Sequence, residues 1–501
     1  MTLGTGALVW GAYEGRFPDD RLLAAVRGGQ VGGVVLFARN APSQEAVRTA
    51  TNALLDAARG GGLPPVTIAT DQEGGAVVRF GHRAIFPGAM ALAATRDADL
   101  IERVAFATAA GLRADGIGVD LAPVCDVNSE PANPAIGTRS FGDDPAEVAA
   151  CVAAWVRGST AAGVASCAKH FPGQGAAVHD SHHTTVDVRA ERALLDRRDL
   201  APFRAAFAAG AAAAMTAHVR YPALDDAIAT LSAAIATGLL REELGFTGLL
   251  LSDAFEMGGL TAAGHPETLV PRAIAAGVDT VLLPAQGPID QAWEWIAVGV
   301  RAPRVREAVA RARGFRTRFA VEVGAPPFGG GEPGGLDATL AGAPALAIEA
   351  AERSLTLVGP TLPDLARAST VRVVALPPDD ASEVSALRDP VGRLQRSLRS
   401  SLGRRLAFAV DVPPEGVGPL VVCTWGARFD PVTLRHAAAL LDEAAVHCAL
   451  RSPYDAGIGR PLPTLLTYCD VPASLDALAA ALAGELTPLG RSPVRLVQPY
   501  C

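Results

Sequence analysis

Five short apolar runs in this chain of 501 residues each end in side chains that can do chemistry. Val66 to Thr70 leads into Asp71-Gln-Glu-Gly-Gly75, Gly118 to Leu121 leads to Asp126 and Asn128, and Ala165 to Ala168 leads into Lys169 and His170. Ala213 to Thr216 reaches His218, and Leu249 to Leu251 passes through Ser252 into Asp253. Carboxylates, a lysine and imidazoles gathered at strand ends suit an active site for a polar ligand, because a parallel barrel carries its chemistry at the carboxyl ends of its strands. Taken singly, Asp71 and Asp126 could also be N-caps, the commonest task of an aspartate between a strand and a helix. Asp253 reads differently, since it closes the continuous run Leu249-Leu-Leu251 and would sit at a barrel mouth.

Lys169 is the one lysine among 44 basic side chains. An ammonium is a compact donor to several hydroxyls from one point, whereas a guanidinium is a broad planar fork, so a position that keeps the lysine points to the smaller cation. A second concentration is His179-Asp180-Ser181-His182-His183, with three of the nine histidines in five residues. A metal site is one reading, but consecutive loop residues seldom all reach one ion and no His-Glu-x-x-His helix supports it. A surface loop is another. The third is an Asp180/His182 dyad, in which the carboxylate orients the ring and raises its basicity for proton transfer near neutral pH. Gly173, Gly175 and the small residues between them suit a loop able to fold over a barrel mouth.

The elements that must position these residues follow a βα alternation. Candidate strands are residues 7–10, 31–37, 66–70, 118–121, 165–168, 213–216, 249–251 and 280–283, separated by Ala-, Leu- and Arg-rich helical stretches. Eight such units predict a (β/α)8 TIM-type barrel over residues 1–323. The Gly/Pro-rich stretch 324–336 reads as a linker. Strand-like runs at 354–358, 371–375, 420–424 and 445–450 then predict a smaller αβα sandwich over 337–501, with no phosphate-binding glycine loop. A net charge of -8 offers no basic surface for nucleic acid, and seven scattered cysteines without a Cys-x-x-Cys pair suggest neither a disulfide framework nor a thiolate zinc site. The expectation is a cytoplasmic protein without a membrane span, with neither metal nor cofactor, that is a monomer or weak homo-oligomer.

With these pieces assembled, the chain resembles glycoside hydrolase family 3, in its β-N-acetylglucosaminidase branch. The matching motifs are Gly33-Val-Val-Leu-Phe-Ala-Arg-Asn40, Asp71-Gln-Glu-Gly-Gly75, Phe86-Pro-Gly-Ala-Met90 and Asp120-Leu-Ala-Pro-Val-Cys-Asp-Val-Asn128. Gly137-Thr-Arg-Ser-Phe-Gly142, Lys169-His-Phe-Pro-Gly173, Asp180-Ser-His182, Met215-Thr-Ala-His218 and Leu251-Ser-Asp253 before Met257 follow in order. Residues 351–358 and 484–493 carry a weaker likeness to the family's second domain. The resemblance implies a retaining exo-hydrolysis of terminal β-linked N-acetylglucosamine, with cell-wall fragments as the expected source. Asp253 is then the nucleophile, His182 the acid/base and Asp180 its partner. It also implies that Asp71, Arg139, Lys169 and His170 bind the sugar, with His218 beside them.

Three departures stand out from the family's pattern. Gln174, Ala176 and Ala177 replace the polar residues usual after Pro172-Gly173, Ala76 stands where an arginine commonly follows Glu-Gly-Gly, and Ala254 replaces a second acid after the nucleophile. The alternatives are a family 3 β-glucosidase or β-xylosidase, a phosphorylase, and a catalytically silent sugar-binding protein.

Overall fold

The structure, a computed structural model, describes residues 4–180, 184–283, 287–326, 335–377 and 387–496. A closed barrel of eight parallel strands comes first: β1 (Val9–Gly11), β2 (Gly33–Leu36), β3 (Thr67–Thr70), β4 (Val119–Asp120), β5 (Ala165–Phe171), β6 (Ala213–Thr216), β7 (Leu249–Ala254) and β8 (Thr280–Leu282). β1 pairs with both β2 and β8, which closes the ring. All eight expected strands are there, with two informative differences at their ends. Ala7 belongs to a 3-10 turn, Thr5–Leu8, that precedes β1. β5 and β7 run beyond their apolar residues, so Lys169, His170 and Asp253 lie within strands rather than after them.

The pairing explains how these polar residues stay in the sheet. The register between β5 and β6 shifts between Ala168 and Phe171, and that between β7 and β8 shifts between Leu251 and Ala254. Such irregularities turn side chains away from strict alternation, and they cluster beside active sites for that reason. Here they bracket Lys169-His170 and Ser252-Asp253. Helices wrap the ring, and several begin with an aspartate cap: Asp97 accepts from Leu100 N, and Asp144 accepts from Ala146 N and Glu147 N with Pro145 at the first helical position.

The second part is a six-stranded sheet of β9 (Thr356–Val358), β10 (Val371–Leu376), β11 (Leu406–Val410), β12 (Leu420–Thr424), β13 (Val446–Ala449) and β14 (Thr464–Leu466). Their spatial order is β9-β14-β13-β12-β10-β11, parallel except for β9 against β14. Leu394, Leu398, Leu475 and Leu478 of the helices Pro390–Leu402 and Pro472–Ala483 cover one face, and Ala437 and Leu441 of Pro431–Leu441 cover the other. β11 and β14 are not legible as strands in the sequence. β11 is a half-buried edge beginning directly after Arg404-Arg405, and β14 is three residues long and follows Pro463. A small sheet of Val186–Asp187, Val219–Tyr221 and Asp225–Ile228 is a further addition.

Barrel and sandwich are packed together. The helix Gly335–Ser354 begins inside the stretch read as linker and lies against the helices Ala98–Ala114 and Pro472–Ala483. Arg353 Nη2 donates to Asp97 Oδ2 at 2.7 Å, and Met90, Ala91 and Ala94 share an apolar cluster with Tyr454, Leu466 and Tyr468. Among the described residues, no helix is long and apolar enough to cross a membrane.

One buried imidazole makes the sandwich sensitive to acid. His447 in β13 is 1 % exposed, and its Nε2 lies 3.0 Å from Thr424 Oγ1, whose hydroxyl donates to Asp455 Oδ2 at 2.6 Å. Burial pushes the His447 pKa from 6.5 down to about 3. The unfolded chain therefore takes up a proton that the folded chain refuses, so this group's stabilisation is complete above about pH 6.5 and is lost as pH falls toward 3. In thermal melts the Tm gap between the wild type and His447→Gln should narrow steadily from pH 7 to pH 4. A constant gap would show that this imidazole is not the sensitive group.

Candidate active site

The carboxyl ends of β3, β4 and β5 bring four charges into one network. Lys169 Nζ lies 2.7 Å from Asp71 Oδ1 and 2.7 Å from Glu73 Oε1. Arg139 grips the same glutamate with two bonds, Nε to Oε2 at 2.9 Å and Nη2 to Oε1 at 2.8 Å, and its Nη1 donates to Ala135 O. Arg79 Nη2 approaches Asp71 Oδ2 at 3.4 Å. Burial alone would raise the pKa of Asp71, but Lys169 and Arg79 outweigh it and hold the carboxyl below its ordinary value. Burial acts likewise on Glu73, and there Arg139 and Lys169 win. For Lys169 burial works to lower the pKa, and the two carboxylates hold it above the usual lysine range. All four groups are thus ionised at neutral pH, and each compensates another's loss of water.

Lys169 is 1 % exposed, so it is the buried keystone of this cluster, while Asp71 and Arg139 form its more open ends. Two of its three ammonium hydrogens serve Asp71 and Glu73, which leaves one for an incoming hydroxyl. Glu73 was missed as a site residue by the sequence reading. Its signal lay in the run Asp71-Gln-Glu-Gly-Gly75, where alternation places residues 71 and 73 on one side. Asp120 was also missed. It accepts from Gln72 N at 2.9 Å, its Oδ2 has no partner among the described residues, and burial raises its pKa well above the ordinary value.

Asp126 is not a helix cap. Its Oδ2 lies 2.7 Å from His170 Nδ1 and its Oδ1 accepts from Gln174 N at 2.6 Å. The carboxylate fixes the Nδ1–H tautomer of His170 and frees Nε2 for a ligand. Asp71 is likewise not a cap, because its oxygens are held by Lys169 and Arg79. The loop beyond Pro172 is built around close approaches: Gly175 lies against the Val127 backbone so tightly that a Cβ would collide with the carbonyl, and Gly173 takes φ +116°, open to glycine. Ala177 is buried in the barrel core, so its apolar character is a packing requirement.

Asp253 is half-buried, its Oδ1 accepts from Ala254 N at 2.8 Å, and β7 aims it into the mouth. His218, expected as a sugar contact, is fully buried, with Nδ1 2.7 Å from Thr230 Oγ1 and Nε2 3.1 Å from Ala254 O. The carbonyl requires the proton on Nε2, so Nδ1 accepts from the threonine, and burial lowers the pKa of the ring. Neither nitrogen is left for a sugar. His218 instead ties β7 just beyond Asp253 to the next loop, which makes it a positioning residue.

Asp180 is half-buried at the start of the histidine loop. His182 lies outside the described residues, together with Ser181 and His183. The flanks of that segment are anchored: Thr184 N bonds Asp180 O, and Thr185 Oγ1 donates to Gly259 O, six residues beyond Asp253, at 3.1 Å.

A parallel barrel whose mouth gathers a buried Asp-Lys-Glu-Arg network, an oriented histidine and a carboxylate on the seventh strand defines a site for a polyhydroxylated ligand and a carboxylate-dependent reaction. Residues 14–313 match the glycosyl hydrolase family 3 N-terminal domain, and the chain belongs to that family and is a glycoside hydrolase. It is 38% identical over 273 residues to β-hexosaminidase A of Pseudoalteromonas piscicida, a stretch covering 51% of this chain but only 46% of that protein. It is 40% identical over 270 residues to a β-hexosaminidase of Stenotrophomonas maltophilia, covering 52% of this chain and 78% of that protein. A solved family 3 β-N-acetylglucosaminidase from Paenibacillus sp. superposes on the whole chain with a TM-score of 0.90 at 30% identity, covering 99% of that structure.

Glu73 should matter as the clamp that holds two cations in place. Glu73→Gln keeps the shape but unbalances Lys169 and Arg139, and should lower kcat/KM by roughly tenfold to a hundredfold. Lys169→Arg should not restore activity although it keeps the charge, because the broader guanidinium cannot meet two carboxylates from one buried point. Steady-state kinetics with near-wild-type values for either variant would contradict the clamp.

Proposed function

We propose that this chain is a retaining exo-β-N-acetylglucosaminidase acting on terminal non-reducing β-linked N-acetylglucosamine, with cell-wall fragments as its source of substrate. The observation that carries the reading is Asp253 on a bulged β7 opposite the Asp71–Lys169–Glu73–Arg139 network, in a fold whose family relatives bear β-hexosaminidase names. The charged network and His170 grip the hydroxyls of one sugar ring and present its anomeric carbon to Asp253. In the first step the Asp253 carboxylate forms a bond to that carbon while the bond to the leaving oxygen breaks, and His182 protonates that oxygen. In the second, water deprotonated by His182 attacks the glycosyl-enzyme and releases Asp253, with retention of configuration. Asp180 orients the imidazole throughout. The hydrogen-bonded flanks of residues 181–183, one of them tied to Gly259, support an acid/base that works beside Asp253.

The glucosidase and xylosidase readings lack this feature, since they place no role on Asp180-Ser-His182. The intact Asp253 and ion-pair cluster speak against a silent binding protein, and the loop at Gln174 to Ala177 no longer supports one, because Ala177 is a core residue.

Asp253→Ala should abolish release of 4-nitrophenol from its β-N-acetylglucosaminide, and retained turnover would refute the nucleophile. His182→Ala should slow substrates with poor leaving groups by roughly 10²–10⁴-fold, and activated aryl glycosides much less, since these need little protonation. Equal losses on both would remove His182 from the acid/base role. Turnover that requires added phosphate and yields a sugar phosphate would reassign the chain as a phosphorylase.

A further inference from the structure

One edge of the sandwich sheet is left uncovered. β11 is the outermost of its six strands, with three strands between it and β14, whose Leu466 packs in the cluster shared with the barrel. It pairs with β10 without a shift, from Val371↔Leu406 to Ala375↔Val410, and Asp411 N donates to Ala375 O at 3.0 Å. Alternation then turns the amides and carbonyls of Ala407 and Ala409 toward β10, and those of Leu406, Phe408 and Val410 outward. Natural sheets blunt such an edge with a lysine, a proline or a bulge. The run Leu406-Ala-Phe-Ala-Val410 has none of these.

Two of the outward groups are satisfied within the chain: Leu406 N donates to Gly403 O, and Val410 O accepts from Val412 N at 2.7 Å. That leaves two donors, Phe408 N and Val410 N, and two acceptors, Leu406 O and Phe408 O, with no partner among the described residues. A second copy of the strand, laid antiparallel with Phe408 opposite Phe408, answers all of them. The two Phe408 residues exchange bonds, and Val410 N of each copy meets Leu406 O of the other. The groups left over, Leu406 N and Val410 O, are the ones already bonded. No other register meets the whole set.

Charge and apolar surface agree with this alignment. Arg404-Arg405 lead into β11 and Asp411 follows it, so a two-fold arrangement sets each basic flank beside the other copy's acidic one, with Arg405 opposite Asp411. Arg405 Nη1 holds the carbonyls of Leu365 and Ala366, which leaves its Nε and Nη2 hydrogens for that carboxylate. Leu406 and Phe408 are half-buried against the cluster of Leu394 and Leu398, while Val410 and Val412 are exposed, and a facing copy covers what remains open. We propose that β11 is a dimerisation edge, on which a second copy of this chain joins its sheet antiparallel about a two-fold axis at Phe408.

Sedimentation velocity of the full-length chain over a concentration series should show monomer passing to dimer. Arg405→Glu alone and Asp411→Lys alone each set like charges across the axis, and each should raise the dimer dissociation constant by roughly tenfold or more. An equimolar mixture of the two restores opposite charges at both contacts and should regain a dimer close to the wild type's. A wild type that stays monomeric, a variant that dimerises as tightly as wild type, or a mixture no tighter than its parts would overturn the edge. Arg405→Glu also removes the bonds to Leu365 and Ala366, and Asp411 takes φ +61°, so a second test leaves both residues in place. In the proposed register Ala407 faces Ala409 of the other copy in a close, non-hydrogen-bonded pair, which suits a disulfide. Copper-phenanthroline oxidation should trap the chain carrying Ala407→Cys and Ala409→Cys as a covalent dimer, and chains with either cysteine alone should stay single. Absence of the covalent dimer, or equal trapping of the single variants, would equally overturn the proposal.

Discussion

A buried ammonium between two carboxylates is the constraint around which the rest of this site is arranged. Taking one charge from water costs several kcal/mol, and the cost is recovered only when partners sit within contact distance. Lys169 therefore cannot occupy its position without Asp71 and Glu73, and Glu73 cannot remain buried without Arg139. These residues come from the ends of β3 and β5 and from the loop after β4, so the network also locks the relative positions of β3, β4 and β5. The same groups proposed to grip a sugar thus hold the mouth of the barrel in shape.

The irregular pairing at β5 and β7 is the second part of this design. A regular strand would alternate its side chains and send one of each adjacent polar pair outward. The register shifts let Lys169 meet its carboxylates while His170 meets Asp126, and they present Asp253 where the backbone is tied down by His218. His218 shows how a residue at a strand end can serve the chemistry without touching a ligand. Its two nitrogens join Thr230 to the carbonyl of Ala254, and so brace the segment that carries Asp253.

The sandwich contributes through packing as well as through its faces toward the barrel. Asp455 and Asp470 are buried carboxylates placed far from the proposed bond making, and both organise the loops that meet the barrel. The Asn128–Tyr454 bond starts on the segment between β4 and Asp126's partners, so the interface and the catalytic mouth are held by neighbouring residues of one stretch. The helix Gly335–Ser354 explains why a stretch rich in glycine and proline does not simply separate two bodies: once the chain leaves it, the helix lies against both.

Much of this was legible in the sequence. Short apolar runs alternating with helical stretches marked all eight barrel strands, because a parallel strand buried on both faces must be continuously apolar. The polar residues closing those runs marked Asp71, Asp126, Lys169, His170 and Asp253, and motif order marked the family. β11 and β14 escaped because an edge strand and a three-residue strand bury too little to impose a pattern. What only the tertiary structure decided is which polar groups meet. Lys169 and Asp71 stand 98 residues apart, and no local period distinguishes an aspartate that caps a helix from one that neutralises a distant ammonium. Glu73 as a clamp, Asp126 as the partner of His170, and His218 as a brace rather than a ligand all follow from distance and burial, which the closing of the barrel sets and the order of residues along the chain does not.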